Sequence, residues 1–277
     1  MFPYAFAKMH GLGNCFILMD DRDQQVSGPC ALPALAKAVS DRNFGIGADG
    51  LILVCQPTVG AQHAAPLRMR IFNEDGSEAE MCGNGIRCFA RFVVDEAITD
   101  KTRLEVETLA GVIRTRIAGE KDVEVDMGEP ALKTKDVLGD GKPMITIDEQ
   151  GRRFHFVSMG NPHAIAFVDD FDFDWQEIGR KVEHSTSFPN RTNVEFVKVT
   201  GPAEAEVKVW ERGCGVTMAC GTGACAVAVA GAIQKRLPRG PVTIRLPGGP
   251  LRIHWNEENR VLMTGPAVRV CKGVYWF

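Results

Sequence analysis

The sequence predicts an α+β protein built mainly from short antiparallel strands. Three observations lead to this class. Many short segments alternate between apolar and polar residues, only four segments have helical features, and one Cys-Gly-x-Gly element occurs twice. Strands that follow one another directly, with few helices between them, favour α+β over alternating βαβ units.

The predicted strands run along the whole chain. Glu204–Trp210 is the clearest, because it reads Glu, Ala, Glu, Val, Lys, Val, Trp, and alternation with period two is typical of a half-buried strand. In order, the predicted strands are Ala5–Met9, Phe16–Asp20, Leu51–Val54, Leu67–Phe72, Arg103–Glu107, Val112–Ile117, Val123–Asp126, Met144–Ile147, Arg153–Ser158, Ala164–Val168, Asn193–Val199, Glu204–Trp210, Val242–Arg245, Leu251–Trp255, Val261–Thr264 and Val268–Tyr275.

Two helices are predicted in each half of the chain. The first has Pro33 in its first turn, where proline is tolerated, and the third can be capped by Asp172 or Asp174. The predicted helices are Leu32–Ser40, Gly85–Glu96, Asp174–Val182 and Gly221–Arg236.

A length of 277 residues favours two domains. Turn-forming residues cluster near the middle, at Glu129-Pro130 and again in Gly139–Pro143. We therefore place the boundary near residue 127, which gives domains of residues 1–126 and 127–265.

Composition excludes several classes of protein. The net charge is −3, and no block of five basic residues is present, so a nucleic-acid partner is not expected. The longest apolar stretch, Ala224 to Ile233, is far shorter than the ~20 residues of a membrane span. The first ten residues lack the pattern of a secretory signal, so we expect a cytoplasmic protein with no membrane partner and reduced cysteines.

The repeated element carries the functional prediction. Cys82-Gly83-Asn84-Gly85 and Cys220-Gly221-Thr222-Gly223 each open a predicted helix, about half the chain apart, which indicates an internal duplication. A helix N-terminus has unpaired N–H groups and a partial positive charge. There a thiol pKa can fall from ~8.5 to ~3.5–7.5, and glycines let the backbone N–H groups bind a carboxylate closely.

Two such elements can bind one carboxylate between them. One thiolate could then remove the proton from the adjacent α-carbon while the opposite thiol delivers a proton, which inverts the stereocentre. The two helix dipoles can stabilise the developing charge, so no cofactor and no metal are expected.

Other interpretations of these cysteines stay open on pattern alone. A thiolate metal site would use Cys82 with Cys88 or Cys220 with Cys225, but zinc-like Cys-x₂-Cys spacing is absent. A cysteine hydrolase would pair one thiol with His163. The elements could also bind a small anion without catalysis.

At these residues the sequence resembles the diaminopimelate epimerase family. The matching blocks extend along the chain and are Lys8–Asn14, Gly45–Gly50, Phe72–Cys88, Met159–His163, Arg191–Val194, Glu211–Gly213 and Ala219–Gly223.

The resemblance implies two pseudo-symmetric domains, each a curved, barrel-like, mostly antiparallel sheet around a central helix, with the active site in the interdomain cleft. It also implies that residues 266–277 return to the first domain as a strand. The implied activity is interconversion of LL- and meso-2,6-diaminopimelate without pyridoxal phosphate, for lysine and peptidoglycan synthesis. The family often forms dimers, so a homodimer is compatible with the resemblance.

Site residues are carried over from the family by position. Cys82 and Cys220 would be the acid/base pair, and His163 and Glu211 would tune the two thiols. The reacting α-carboxylate would be held by Gly83, Asn84, Gly221 and Thr222. The other polar groups of the substrate would be bound by Asn14, Asn73, Asn161, Asn193, Glu211 and Arg212, with Arg212 on the distal carboxylate.

The chain departs from the common family pattern at two positions. Cys15 stands where the family commonly has Asp, which predicts a lost local hydrogen bond but not lost activity. Gly50 stands where some relatives have Gln, so we carry over no substrate contact there. The alternatives to this assignment are another racemase of the same fold and a non-catalytic binder of small carboxylates.

Overall fold

The computed structural model describes residues 2–58, 66–132 and 151–277, and residues 144–146 as a strand. It contains four helices in these ranges, which are α1 (Leu32–Ser40), α2 (Gly83–Asp95), α3 (Trp175–Glu183) and α4 (Gly221–Ile233). Its contacts divide the chain into two compact units, unit 1 with residues 1–125 and 264–277 and unit 2 with residues 126–263.

In the residues that the structure describes, unit 1 contains nine strands around α2. They are β1 (Pro3–Gly11), β2 (Asn14–Asp20), β3 (Gly50–Cys55), β4 (Leu67–Asn73), β5 (Glu78–Ala79), β6 (Arg103–Thr108), β7 (Gly111–Ile117), β8 (Asp122–Asp126) and β18 (Val268–Trp276). The pairing order is β18-β1-β2-β3-β4-β6-β7-β8, with β5 on β4. The pairs β2–β3 and β4–β6 are parallel, and the others are antiparallel.

Unit 2 repeats this arrangement around α4. Its strands are β9 (Met144–Thr146), β10 (Arg153–Ser158), β11 (Pro162–Phe167), β12 (Asn193–Gly201), β13 (Glu204–Glu211), β14 (Gly215–Val216), β15 (Pro241–Leu246) and β16 (Gly249–Trp255), and β17 (Val261–Pro266) leads the chain back to unit 1. The pairing order is β9-β10-β11-β12-β13-β15-β16, with β14 on β13 and with β11–β12 and β13–β15 parallel.

The two units therefore have the same topology. In each, a short helix connects the first parallel pair, and a two-residue strand precedes the helix that connects the second parallel pair. This repetition accords with the duplication expected from the two Cys-Gly-x-Gly elements.

Each unit places one helix inside a curved sheet. Helix α2 contacts β1, β2, β3, β4 and β7, which lie near both ends of the strand order, so the sheet must curve around it. Helix α4 contacts β10, β11, β12, β15 and β16 in the same way. It is made almost wholly of Ala, Val and Gly and is buried on nearly all sides, as expected for an apolar helix surrounded by strands.

The outer helices complete a second layer in each unit. Helix α1 buries Leu35 and Val39 against β3 and β4, and α3 buries Val182 against β12 and β13. The predicted α+β class is thus confirmed. Among the described helices, none is long and apolar enough to cross a membrane.

The predicted elements are present with small changes in their ends. Helix α2 begins at Gly83 rather than Gly85, and α4 ends at Ile233 rather than Arg236. Asp174, one of the two proposed caps of α3, accepts a hydrogen bond from the Glu177 N–H. Strands β5 and β14 were not predicted. The predicted end of β9 at Ile147 and the linker Gly139–Pro143 lie outside the described residues.

Candidate active site

Cys82 is the N-cap residue of α2 in unit 1. Its backbone is extended, with φ −139° and ψ 123°, and its Sγ accepts a hydrogen bond from the Gly85 N–H at 3.4 Å. A Cβ at Gly85 would lie 3.1 Å from the Cδ1 atoms of Ile52 and Ile71. Glycine therefore allows the first turn of the helix to lie close to the sheet, which sets the position of the half-buried thiol.

Two predicted asparagines lie beside this thiol. Asn84 Nδ2 donates to Asn14 Oδ1 at 3.3 Å, and Cys82 Sγ is 3.9 Å from the same oxygen. Asn14 follows a tight turn between β1 and β2 in which Leu12 and Gly13 have φ values of 56° and 87°. Positive φ at both positions matches the turn type of two-residue hairpins. The turn thus brings Asn14 to the start of α2.

Asp49 and Arg87 fix the orientation of these amides, and neither was predicted as a site residue. Asp49 accepts hydrogen bonds from Asn14 Nδ2 at 2.8 Å and from the Cys15 N–H at 2.7 Å. Arg87 is fully buried and donates to Asn84 Oδ1 at 2.8 Å and to the Gly83 carbonyl at 3.0 Å. Since each amide oxygen and nitrogen has a distinct partner, the network defines which way Asn14 and Asn84 point.

Asn73 is placed differently from the other predicted residues of unit 1. It ends β4, is exposed and donates to Ser77 Oγ at 2.9 Å. No described hydrogen bond joins it to the group around Cys82.

The two departures from the family pattern have local explanations. A Cβ at Gly50, which pairs with Asn73 in the sheet, would lie 2.4 Å from the Phe72 carbonyl oxygen, so this backbone excludes a side chain. Cys15 donates through Sγ to the Gly13 carbonyl at 3.5 Å, and the loss of the hydrogen bond that an aspartate would make at this position stays a prediction.

Cys220 is the N-cap residue of α4 in unit 2 and is buried. Its Sγ lies 3.5 Å from the Thr222 hydroxyl. Burial raises the pKa of this thiol well above its usual value, the negative charges of Glu211 and Glu195 raise it further, and the Thr222 hydroxyl opposes them. The expectation that a helix start lowers the thiol pKa is therefore wrong for Cys220, because desolvation and two carboxylates outweigh the hydrogen bonds from Thr222 and from the Gly223 N–H.

Glu211 ends β13 close to this thiol. Burial raises the pKa of its carboxyl group, the Glu195 charge raises it further, and hydrogen bonds from Thr217 and Cys220 oppose the rise. A buried carboxylate with a raised pKa beside a thiol is a stronger proton acceptor than an ordinary carboxylate, so it is placed to exchange a proton with that thiol.

A chain of polar side chains connects Cys220 to His163. Asn161 Nδ2 donates to Thr222 Oγ1 at 3.2 Å, and Asn161 Oδ1 lies 3.1 Å from His163 Nε2. His163 Nδ1 lies 2.7 Å from Glu195 Oε1, and both of these side chains are fully buried. The structure thus brings together Cys220, Thr222, Asn161 and His163 from the predicted set.

The same group offers metal-ligating atoms. Among the described residues, ligand atoms of His163, Glu195 and Cys220 lie within 4.8 Å of one another. Zinc bound tetrahedrally at ~2.0–2.1 Å would hold nitrogen and oxygen ligands about 3.3 Å apart. The 2.7 Å between His163 Nδ1 and Glu195 Oε1 fits a shared proton better than two ligands of one ion.

Asn193 and Arg212 form a separate pair in unit 2. The Arg212 N–H donates to Asn193 Oδ1 at 3.0 Å, and Asn193 Nδ2 donates to the Pro162 carbonyl at 3.0 Å. Asn193 therefore ties the end of β13 to β11. Arg212 itself is exposed, and its guanidinium donates to the Asn190 carbonyl at 3.3 Å.

Each unit thus presents a thiol at the start of a central helix, backbone N–H groups of the first turn and oriented amides. Comparison with known proteins shows the family to which the chain belongs. A sequence model of the family "Diaminopimelate epimerase" matches residues 6–133 and 155–270.

Relatives and solved structures are similar over nearly the whole chain. Diaminopimelate epimerases of Desulfitobacterium hafniense and Moorella thermoacetica are 49% and 50% identical, covering 96% and 97% of this chain and 96% and 98% of theirs. A PhzF-family phenazine biosynthesis protein of Bacillus anthracis superposes with a TM-score of 0.71 at 14% identity over all of both chains. A hydroxyproline epimerase of Agrobacterium vitis gives 0.64 at 14% identity, over 98% of this chain and 92% of its own. The two structures share the fold, and the sequence matches show that the chain belongs to the diaminopimelate epimerase family.

Proposed function

We propose that this protein interconverts LL- and meso-2,6-diaminopimelate without a cofactor, in the synthesis of lysine and of peptidoglycan precursors. The observation that carries the proposal is the equivalence of Cys82 and Cys220. Each is the N-cap of the central helix of its unit, in units of the same topology, within a chain of the diaminopimelate epimerase family.

The two thiols are assigned to opposite faces of the substrate α-carbon. In one direction the thiolate of one cysteine takes the α-proton, and the electron pair of the C–H bond moves onto the carboxylate. The thiol of the other cysteine then gives its proton to the opposite face of the carbon. The protein ends with the protonation states of its thiols exchanged, and the reverse reaction restores them.

The buried carboxylates favour Cys220 as the initial proton donor. The raised pKa of Cys220 keeps it protonated in the absence of substrate, which is the form a donor needs. Glu211, with its own raised pKa, accepts that proton when Cys220 must act as the base. This division of labour requires no metal ion.

The first turns of α2 and α4 hold the reacting carboxylate. Backbone N–H groups at a helix N-terminus bind anions, and glycines permit the close approach this requires. We assign this role to Gly83 and Asn84 on α2 and to Gly221 and Thr222 on α4. The same N–H groups stabilise the negative charge that develops on the carboxylate as the α-proton leaves.

The remaining polar groups of the substrate are assigned to the oriented side chains. The exposed guanidinium of Arg212 can bind the distal carboxylate in a two-pronged contact. Asn14, Asn73, Asn161, Asn193 and Glu211 provide acceptors and donors for the distal amino acid centre. The partner is thus a small molecule rather than a nucleic acid or a membrane. The thiols need a reducing compartment, so we assign the protein to the cytoplasm, and we include a homodimer in the proposal.

Incubation with LL-diaminopimelate in heavy water tests the function. We expect meso product that carries deuterium at the inverted α-carbon, since the proton delivered comes from a solvent-exchanged thiol. A non-catalytic carboxylate binder would give no exchange. Turnover of a monocarboxylic amino acid but not of diaminopimelate would instead indicate another racemase of this fold.

A further inference from the structure

Glu195 is not among the site residues predicted from the sequence, yet its carboxylate lies at the end of the polar chain that leads to Cys220. Glu195 lies on β12 and His163 on β11, and these strands are parallel with His163 opposite Asn193. Because alternate residues of a strand share a face, Glu195 is the next residue along the same face as Asn193 and comes diagonally beside His163. The sheet register thus places the carboxylate next to the imidazole.

The local packing holds Glu195 at this position. Its side chain is fully buried, and a Cβ at Gly223 would lie 2.6 Å from Glu195 Oε1 and 3.2 Å from Cys220 Sγ. The carboxylate therefore lies directly against the first turn of α4. Its second oxygen, Oε2, is buried and has no hydrogen-bond partner among the described residues.

An isolated buried carboxylate would be costly, so its contact with His163 must supply a compensating proton. Glu195 Oε1 can accept only if His163 Nδ1 carries a proton. When Nδ1 donates to Glu195, the other hydrogen bonds of the chain can all point towards Cys220. His163 Nε2 then donates to Asn161 Oδ1, and Asn161 Nδ2 donates to Thr222 Oγ1. The Thr222 hydroxyl donates to Cys220 Sγ. In this direction the chain ends with a hydroxyl donor aimed at the thiolate.

When Cys220 is protonated, the hydrogen bonds of this chain run in the opposite direction, from Cys220 towards His163. In this arrangement the Cys220 thiol donates to Thr222 Oγ1. The amide of Asn161 is rotated, so its Oδ1 accepts from the Thr222 hydroxyl and its Nδ2 donates to His163 Nε2. His163 Nδ1 still donates to Glu195. In both arrangements Nδ1 donates to Glu195. The thiolate arrangement needs a second proton, on Nε2, which His163 takes from solvent when Cys220 releases its own proton to Glu211, and both transfers reverse when the thiol forms again.

We infer that Glu195 is a positioning residue for the reaction. Its buried carboxylate keeps the proton on His163 Nδ1, and this anchors the hydrogen-bonded chain through Asn161 and Thr222 that adapts to the thiol and thiolate forms of Cys220. The inference rests on the proposed function in one respect, because it assigns Cys220 to proton transfer.

The test combines spectroscopy of the unmodified protein with kinetics of one variant. In protein labelled with ¹⁵N in its six histidines, the His163 resonances are assigned by their absence in H163Q. We expect Nδ1 of His163 to carry the proton of the imidazole, because this is the tautomer that a hydrogen bond to Glu195 selects. An unprotonated Nδ1 in the wild-type protein would overturn the inference without any variant of Glu195.

Glu195→Gln removes the charge and keeps the shape. Its amide can donate to Nδ1 as well as accept from it, so the tautomer is no longer fixed. We expect mixed His163 tautomers and a kcat lowered about tenfold or more in both directions, with KM changed by less than about threefold. Asp21→Asn is the matched control, since Asp21 is a buried carboxylate of unit 1 that accepts from the Val26 and Ser27 N–H groups.

Two kinetic results would overturn the inference. One is a folded Glu195→Gln protein with the kcat and KM of the wild type. The other is a fall in kcat equal to that of Asp21→Asn, which would indicate a merely structural role. If the wild-type protein fails to exchange the α-hydrogen of diaminopimelate, the proposed function fails, whereas the His163 resonances still report on the tautomer.

Discussion

Cys82 and Cys220 occupy the same position in two units of the same topology, but their surroundings differ. Cys82 is half-buried, and its sulfur accepts the Gly85 N–H and lies near the amide of Asn14. Cys220 is buried beside Glu211 and Glu195, whose charges raise its pKa. The duplication therefore repeats the thiol and the helix start, while the side chains beside the two thiols differ. This asymmetry suits a pair in which one member starts as base and the other as acid.

Replacing either cysteine by alanine is expected to abolish epimerisation. Removing one acid/base group should lower kcat by about 10²–10⁴-fold or more, because each turnover uses both thiols. The measurement is the rate of conversion of LL to meso substrate by purified Cys82→Ala and Cys220→Ala proteins. Far-ultraviolet circular dichroism should be unchanged, since each substitution removes a single sulfur atom and leaves the backbone of the helix start in place.

Cys225→Ala is the control for these variants. Cys225 is fully buried on α4, one helical turn and a half beyond Cys220, and its pKa plays no part in the proposal. It should keep near-wild-type kcat with a modest loss of stability from the smaller side chain. Full activity in Cys82→Ala or Cys220→Ala would refute the two-thiol mechanism.

Glu211→Gln should stabilise the fold while it removes activity. The folded-state pKa of Glu211 lies above its unfolded value of 4.5, so the folded state binds its proton more tightly. Stability is therefore lost as the pH rises from 4.5 through the folded pKa, and an uncharged glutamine avoids this loss. Glutamine can still accept from Thr217.

The check is thermal melting at two pH values. At about pH 7.5 the variant should melt a few degrees above the wild type, since ~1 kcal/mol shifts the Tm of a chain of this size by about 2–4 °C. The difference should disappear as the pH falls below 4.5, where the carboxyl group is protonated in both states. Glu206→Gln on the same strand is the control and should show no such pH dependence. A lower Tm for Glu211→Gln at the higher pH would contradict the prediction.

The fold could be predicted from the sequence because its signals are local. Alternation identified the strands, and the repeated Cys-Gly-x-Gly element identified the two central helices. Boundaries were less accurate where no periodicity marks them. Helix α4 ends at Ile233 because Lys235 takes a left-handed conformation with φ 56°, although the residues up to Arg236 suit a helix. The two-residue strands β5 and β14 are too short to show alternation.

The candidate site was only partly predictable, because several of its contacts join residues distant in the sequence. Glu195 interrupts an apolar strand between Val194 and Phe196, which marks a buried charge without naming its partner. That partner, His163, is determined by the parallel register of β11 and β12, which are separated by helix α3. Arg87 lies within the conspicuous motif around Cys82, yet its sequence position does not reveal that it is fully buried.

Gly223→Ala tests how tightly the thiol and the carboxylate pack against α4. Alanine is favoured over glycine inside a helix by about 1 kcal/mol, so propensity alone predicts a gain. The added Cβ would lie 2.6 Å from Glu195 Oε1 and 3.2 Å from Cys220 Sγ, which forces one of them to move. Since such overpacking typically costs ~1–3 kcal/mol, we expect a lower Tm and at least about tenfold lower kcat.

Gly240→Ala provides the comparison for this variant. A Cβ at Gly240 has no atom within 4 Å, so neither stability nor kcat should change appreciably. A Gly223→Ala protein that is more stable and fully active would contradict the prediction, because it would show that a Cβ fits beside Glu195 and Cys220.

Arg87 is expected to control substrate affinity through Asn84. Its guanidinium holds the Asn84 oxygen and the Gly83 carbonyl, and it also donates to the Pro266 carbonyl at 3.3 Å. Lysine keeps the charge but cannot bind these acceptors with a planar fork, so Asn84 becomes free to rotate. We expect Arg87→Lys to raise KM for diaminopimelate about tenfold with a smaller change in kcat.

Arg87→Met should destabilise the fold by ~3 kcal/mol or more, because it leaves buried acceptors without donors. Arg91→Met, one turn further along α2, removes a partly exposed pair with Asp95 and a hydrogen bond to the Gly119 carbonyl, and should cost about 1–2 kcal/mol. Denaturant unfolding and steady-state kinetics of the three variants measure these effects, and equal losses at positions 87 and 91 would exclude a specific role for Arg87.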